Sequence, residues 1–205
     1  MKRGTLLLIS SLIVSTIVGC RVISQDEYKK LQSPESPYIT GSNDFFDNEL
    51  VPYIQSKAID GSTLLSKIKA HKDFNIVCTE LGFRESTDLQ CNFPIEITGT
   101  ITDINVKSRR GNITIEDDFK NKYQVLIGPV ITGTSIRDVQ SKIGYKDFND
   151  QTIYGEFGKR LNTRVTEISK DQSFNVGDRY QIFGAFSSFD VPTSIKITPV
   201  KFSKL

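Results

Sequence analysis

From Pro94 onward, apolar residues recur at every second position. Ile95, Ile97, Gly99 and Ile101 share one phase, and Ile104 and Val106 then continue on even numbers. One slip in a period-two pattern predicts a long bent strand with a bulge, and Gly99 eases the bend. Ser108-Arg109-Arg110-Gly111 reads as a turn. Ile113 and Ile115 mark a second strand, Asp117 to Lys122 a polar turn, and Tyr123, Val125 and Ile127 a third strand. Ser135 to Ile143 predicts a short helix. Ile153, Tyr154, Phe157, Leu161 and Val165 share one face of a longer helix that Asn149 can cap. Gly155 and Gly158 each cost ~1 kcal/mol against alanine in a helix, which implies that something packs close to them. Tyr180, Ile182, Gly184 and Phe186 mark a fourth strand. Ile195, Ile197, Val200 and Phe202 mark a fifth, and the slip at Pro199 predicts an edge or a bulge.

Three strands, a helix and two strands, with the first strand long and bent, is the order of the OB-fold barrel. The expected class is therefore α+β, mainly β, with a five-stranded OB-like barrel over residues 94–205; an unspecified α+β sheet is the alternative. Residues 42–93 read as a helical segment. Phe46, Leu50 and Ile54 recur at helical spacing, Ser42 or Asn43 can cap the start, and Pro52 predicts a kink or two short helices. Ser62 can cap a second helix carrying Leu64, Leu65 and Ile68. Phe74 to Thr79 reads as a strand, and Glu80 to Asn92 as a polar excursion, a hairpin closed by a cysteine bridge.

The first residues carry an address. Lys2 and Arg3 precede an apolar run from Leu6 to Val18, and Gly19-Cys20 ends it. About 13 apolar residues suit a secretory signal and fall short of the ~20 that span a membrane. A small residue followed by cysteine is similar to the bacterial lipobox. That resemblance implies a signal peptide over 1–19, cleavage before Cys20, and acyl chains on Cys20 that hold the protein to a bilayer. Residues 20–41, with Ser33-Pro34-Glu35-Ser36-Pro37, read as a flexible tether. Arg21 follows the cysteine, and the absence of Asp there resembles lipoproteins sorted to the outer membrane when the host has two membranes. Otherwise the outer face of the plasma membrane is expected.

Charge and cysteines narrow the function classes. Without Lys2 and Arg3 the 26 basic side chains of the full chain become 24, equal to the 24 acidic ones. Such a balance supplies no field to steer the mature chain to nucleic acid. Cys78 and Cys91 remain as a pair in an oxidising compartment, either bridged or as two buried thiols; the compartment favours the bridge. His71 is the only histidine, so a Ser-His-Asp arrangement or a zinc site is not expected, and no cofactor is. A hydrolase hidden among the acidic residues is the remote alternative. Asp117-Asp118 lacks the spacing of a calcium loop.

Several runs resemble a known family: Leu50-Val51-Pro52-Tyr53-Ile54 with Lys57-Ala58, Ile127-Gly128-Pro129-Val130-Ile131 with Gly133-Thr134, and Ile136-Arg137-Asp138. Asp147-Phe148 with Gln151 and Tyr154, Leu161-Asn162, Gly184-Ala185-Phe186 and Ile197-Thr198-Pro199-Val200 continue the likeness. It is to the predicted periplasmic lipoprotein family, a domain of unknown function. The resemblance implies a secreted lipoprotein with an OB-like domain, without established activity, often encoded near ABC-type sugar importers. The expected partner is then a component of such an importer. In the family pattern an Asn commonly precedes Gln151, where this chain has Asp150. The Cys78/Cys91 pair is outside the pattern.

The residues around the third strand's exit form the candidate binding set. Gly128, Pro129, Gly133 and Thr134 shape the loop, Arg137 and Asp138 follow it, and Asp147, Asp150 and Gln151 flank the long helix. One Arg, several carboxylates and an amide can hold a polar ligand such as a sugar. The competing reading is that Arg137 pairs with one of the carboxylates and that Asp147 or Asn149 caps a helix.

Overall fold

The structure is a computed structural model that describes residues 37–71, 73–148 and 150–205. The signal segment, Cys20 and most of the expected tether lie outside the described residues, as does Asn149. The described residues form one compact unit, in which the helical segment and the barrel are joined.

Five strands close a barrel. They are β1 (Cys91–Asn105), β2 (Arg110–Glu116), β3 (Lys122–Pro129), β4 (Arg179–Ser188) and β5 (Ile195–Lys204). The neighbour order is β1-β2-β3-β5-β4 and back to β1, with β3 and β5 parallel, which is the OB topology. Closure depends on the bent first strand. Cys91 to Thr100 pair with β4 and Thr100 to Asn105 with β2, with a register shift between Ile101 and Asp103. A Cβ at Gly99 would run into the Glu116 carbonyl oxygen, so the glycine lets two backbones meet where the strand turns. At Pro199 the register of β4 and β5 shifts, so the slip there is a bulge.

Alternating residues fill the barrel: Ile95 and Ile97, Ile113 and Ile115, Tyr123 and Val125, Tyr180 and Ile182, Ile195 and Ile197. Two helices add to this core, α4 (Gly61–Ala70) through Leu64 and Ile68 and α5 (Phe74–Leu81) through Val77 and Cys78. A second core lies outside the barrel. Phe183, Ala185 and Val200 meet Phe157, Leu161 and Val165 of α7 (Gln151–Lys170), together with Phe46, Leu50 and Ile54. Strand β4 is thus buried on both faces.

The N-terminal helices depart from the expected pattern. They begin at Pro37, inside the stretch read as tether, with α1 (Pro37–Thr40), α2 (Ser42–Phe45), a π-helical turn (Phe46–Leu50) and α3 (Val51–Lys57). Gly41 holds the cap position of α2, so neither Ser42 nor Asn43 caps it. Asp60 caps α4 in place of Ser62; its Oδ1 accepts from Thr63 N at 2.8 Å and from the Ser62 hydroxyl at 2.6 Å. Residues 74–79 are helical where a strand was expected. Asp73 caps them, and Phe74, Val77, Cys78 and Leu81 keep a 3.6 period that a six-residue window hides. The first barrel strand starts at Cys91, three residues before Pro94. Cys78 and Cys91 form a disulfide that ties α5 to that first residue. Closing a loop of this length stabilises by ~3 kcal/mol.

Candidate functional site

The α5–β1 connection, the segment after β3 and the start of α7 enclose a cleft of about 690 Å³. Its centre is an ion pair. Arg137 Nε lies 2.6 Å from Asp138 Oδ1, and Nη2 2.9 Å from Oδ2. Nη1 donates to the Tyr154 carbonyl at 3.4 Å, and the guanidinium carbon sits 3.7 Å from the centre of the Tyr154 ring. The Tyr154 hydroxyl donates to Asp138 Oδ1 at 2.8 Å. Burial pushes the Tyr154 phenol well above its ordinary pKa, and the Asp138 charge adds to the rise. The guanidinium is therefore spent on fixing the wall, as the competing sequence reading proposed for Arg137.

Local chemistry explains how the wall is built. Ser135 to Asp138 form one short helix, α6, rather than a helix reaching Ile143. Buried Gln140 ends it: its Nε2 donates to the Arg137 and Ile143 carbonyls at 3.2 and 2.9 Å, while Oε1 accepts from Ile143 N at 3.0 Å. The loop thus wraps around one amide, which offers both a donor and an acceptor. A Cβ at Gly158 would stand 3.3 Å from Arg137 Cδ, so this glycine makes room for the arginine. Gly155, by contrast, faces open space in the cleft, where no close packing accounts for it.

The structure separates the nine predicted site residues. Thr134, Arg137, Asp138 and Gln151 line the cleft. Asp150 caps α7, its Oδ1 accepting from Thr152 N at 2.6 Å and Ile153 N at 3.1 Å, and the Ile153 and Thr152 amides hold its carboxyl below the usual range. Asn serves equally well at such a cap. Asp147 accepts from Gly144 N at 2.8 Å. Gly128, Pro129 and Gly133 do not line the cleft. Gly128 has φ +84°, and a Cβ there would stand 3.0 Å from the Thr166 hydroxyl of α7; the Gly128–Pro129 peptide is cis. Gly133 has φ +107°, and its carbonyl accepts from Asn162 Nδ2 at 3.0 Å. The run is shaped to seat α7.

Other lining residues had no motif to announce them. Phe83, Glu85, Leu89 and Gln90 come from the α5–β1 connection, Tyr145 from a 3-10 turn (Tyr145–Asp147), and Phe189 from the β4–β5 loop. Leu89, Tyr145 and Phe189 are about half exposed or more, at 50, 48 and 64%. A lone large apolar residue in a polar loop is the one signal that points to them. Among the described residues no group of three His, Cys, Asp or Glu is placed to hold a metal, and no helix is long and apolar enough to cross a membrane.

A family model described as "Predicted periplasmic lipoprotein (DUF2291)" matches residues 11–203. The chain belongs to this family. As a periplasmic lipoprotein it is a lipid-anchored protein of the cell envelope. An OB-fold protein of Thermotoga maritima superposes on the lipoprotein with a TM-score of 0.64 at 10% identity, over 83% of this chain and 99% of that one. That likeness shows the fold. An OBody bound to hen egg-white lysozyme (TM-score 0.29, 13% identity, 55% of this chain and 81% of that one) is too remote to carry an argument. The same holds for the Stn1–Ten1 complex of S. pombe (TM-score 0.32, 15% identity, 62% and 71%). No curated protein matches the lipoprotein.

Proposed function

We propose that this lipoprotein is a binding subunit rather than an enzyme, and that its cleft receives a segment of a protein partner. The observation that carries this reading is the ring of exposed Leu89, Tyr145 and Phe189. These residues come from three separate segments and meet around one cleft. Apolar and aromatic groups around a hollow are what a partner's anchoring side chain requires. The fixed Arg137–Asp138 pair makes the floor rigid, so little order is lost on binding. The partner implied by the family resemblance is a component of an ABC-type sugar importer.

A photo-crosslinking side chain at Leu89, used in native membranes, tests the reading. An importer permease or sugar-binding protein is expected in near-stoichiometric yield, and a crosslinker at exposed Val106, on the β1–β2 turn, should not capture it. Only scattered lipoproteins at Leu89 would overturn the proposal.

One observation favours a second reading, direct binding of a neutral polar ligand such as a sugar. Gln90 and Gln151 line the cleft with amides that bond no other described residue, while Arg137 has none of its charge to spare for an anion. A saturable rise in thermal midpoint with a sugar, weakened by Gln151→Ala, would support it.

A further inference from the structure

The end of the barrel remote from the cleft carries a second, unrelated apolar feature. The β2–β3 turn projects Phe119, which is 75% exposed, and Val176 and Leu205 are exposed by 64 and 65%. Hydrogen bonds gather these residues around Arg179, the first residue of β4. Its guanidinium holds Asp118, the neighbour of Phe119, at 2.9 and 2.7 Å. Its carbonyl accepts from Leu205 N at 2.9 Å. Next to Arg179, Asp178 accepts from Lys204 at 2.7 Å and closes the turn that bears Val176 by accepting from Asn175 N at 3.2 Å.

The turn that presents Phe119 is rigid. Buried Asp117 accepts from Phe119 N at 2.9 Å, Asn121 N at 2.8 Å, Asn121 Nδ2 at 2.8 Å and the Tyr123 hydroxyl at 2.9 Å. Lys120 is held at φ +67°, a conformation that an L residue rarely adopts. A buried carboxylate and an unfavourable φ are thus spent on a turn whose tip is an exposed phenyl ring.

We propose that Phe119, Val176 and Leu205 form a membrane-contacting tip that rests in the headgroup region of the bilayer to which the protein is anchored. Three features select a lipid surface over another protein. The groups stand on two turns and directly after β5, so they are convex, whereas a protein partner would have to offer matching hollows. The nearby acids already have their partners: Glu116 pairs with Lys120 and Lys122, Asp118 with Arg179 and Asp178 with Lys204, and buried Asp117 accepts four hydrogen bonds within its own turn. Lys120 and Lys122, 82 and 66% exposed, stand beside the ring, where lysines reach anionic headgroups. The lipid anchor makes the contact intramolecular, so a few apolar side chains suffice where they would not bind a free protein. Strand β4 runs from this end towards the cleft, and its ten residues span roughly 33 Å. With the tip in the bilayer, the cleft faces away from it, open to a periplasmic partner.

The chain contains no tryptophan, so an introduced indole reports alone. The lipidated full-length protein is prepared as Phe119→Trp and, for the cleft end, as Phe189→Trp, with melting temperatures checked against the parent. Each is reconstituted into phosphatidylethanolamine–phosphatidylglycerol vesicles with and without brominated acyl chains. The expected result is a blue-shifted, bromine-quenched indole for Phe119→Trp and a solvent-exposed, unquenched one for Phe189→Trp. An exposed indole in Phe119→Trp overturns the proposal, and so does equal quenching in both variants. A blue shift that depends on protein concentration and ignores brominated lipid would mark a second copy as the occupant, which also overturns it.

Discussion

A tyrosine hydroxyl donates to an aspartate at each end of the molecule, and the two pairs do different work. At the closed end Tyr123 meets Asp117 at 2.9 Å; in the cleft wall Tyr154 meets Asp138 at 2.8 Å. Among the described residues, Asp117 has no cation within bonding reach. Backbone and amide N–H groups from Phe119 and Asn121 satisfy it, and it is 8% exposed. Asp138 is neutralised by Arg137, and its side chain stays 25% exposed. The first carboxylate organises three residues of adjoining chain through four hydrogen bonds. The second joins α6 to α7, segments 16 positions apart, and leaves an open surface beside it. Burial is the leading cause that raises both phenols, so neither ionises in the ordinary range. The closed end is therefore built for stability, and the cleft for shape.

The sharpest test of that contrast is Asp117→Ala. Its removal strands the Tyr123 hydroxyl in the barrel core and two backbone N–H groups in the turn. A loss of about 4 kcal/mol is expected, read as a fall in the urea midpoint at constant slope. Asp138→Ala should cost less than half as much, because water reaches the groups it leaves. Equal losses would erase the distinction between the two ends.

The difference in reach also decides what could be read from the chain. The barrel's strand order, the bulge near Gly99 and the slip at Pro199 were visible because they rest on period-two alternation over neighbouring residues. Helix 74–81 was misread because Phe74, Ile76 and Cys78 also alternate, and only Val77 and Leu81 reveal the helical face. The cleft was legible in part. Thr134, Arg137 and Asp138 come from one short run after β3 and Gln151 from the start of α7, whereas Phe83, Leu89 and Phe189 arrive through chain closure, which no local pattern encodes. Gly128 and Gly133 stood out as loop residues, but their backbone angles serve the seat of α7. A glycine signals unusual backbone, and the packing partner has to come from the fold.

Arg137→Ala probes the cleft wall directly. It removes the bidentate pair with Asp138 and the stack on Tyr154, and a loss of about 2 kcal/mol is expected. The control is Arg164→Ala. Arg164 meets exposed Asp47 at 3.0 Å, and such surface pairs contribute ~0.2–1 kcal/mol. Amide exchange should quicken across residues 137–143 in the Arg137 variant while the barrel strands stay protected. Uniform acceleration would show that the wall and the barrel unfold together, and the cleft would not then be a separate unit of stability.

The smallest effect compares two glycines one turn apart on α7. Alanine at either removes backbone freedom from the unfolded chain, a gain of roughly 0.5–1 kcal/mol where space allows. At Gly155 nothing lies within 4 Å of the new methyl group, so Gly155→Ala should realise that gain. At Gly158 the methyl meets Arg137 Cδ at 3.3 Å, and the guanidinium has no slack because all its bonds are directed. The gain there should be cancelled or reversed. Paired thermal melts decide the matter. If Gly158→Ala stabilises as much as Gly155→Ala, Arg137 shifts freely, and the cleft floor is softer than the closed end by more than the two carboxylates imply. If instead the two variants differ by about 1 kcal/mol, the stacked arginine is a fixed part of the wall, and Gly155 is left as a glycine whose absent side chain keeps the cleft open.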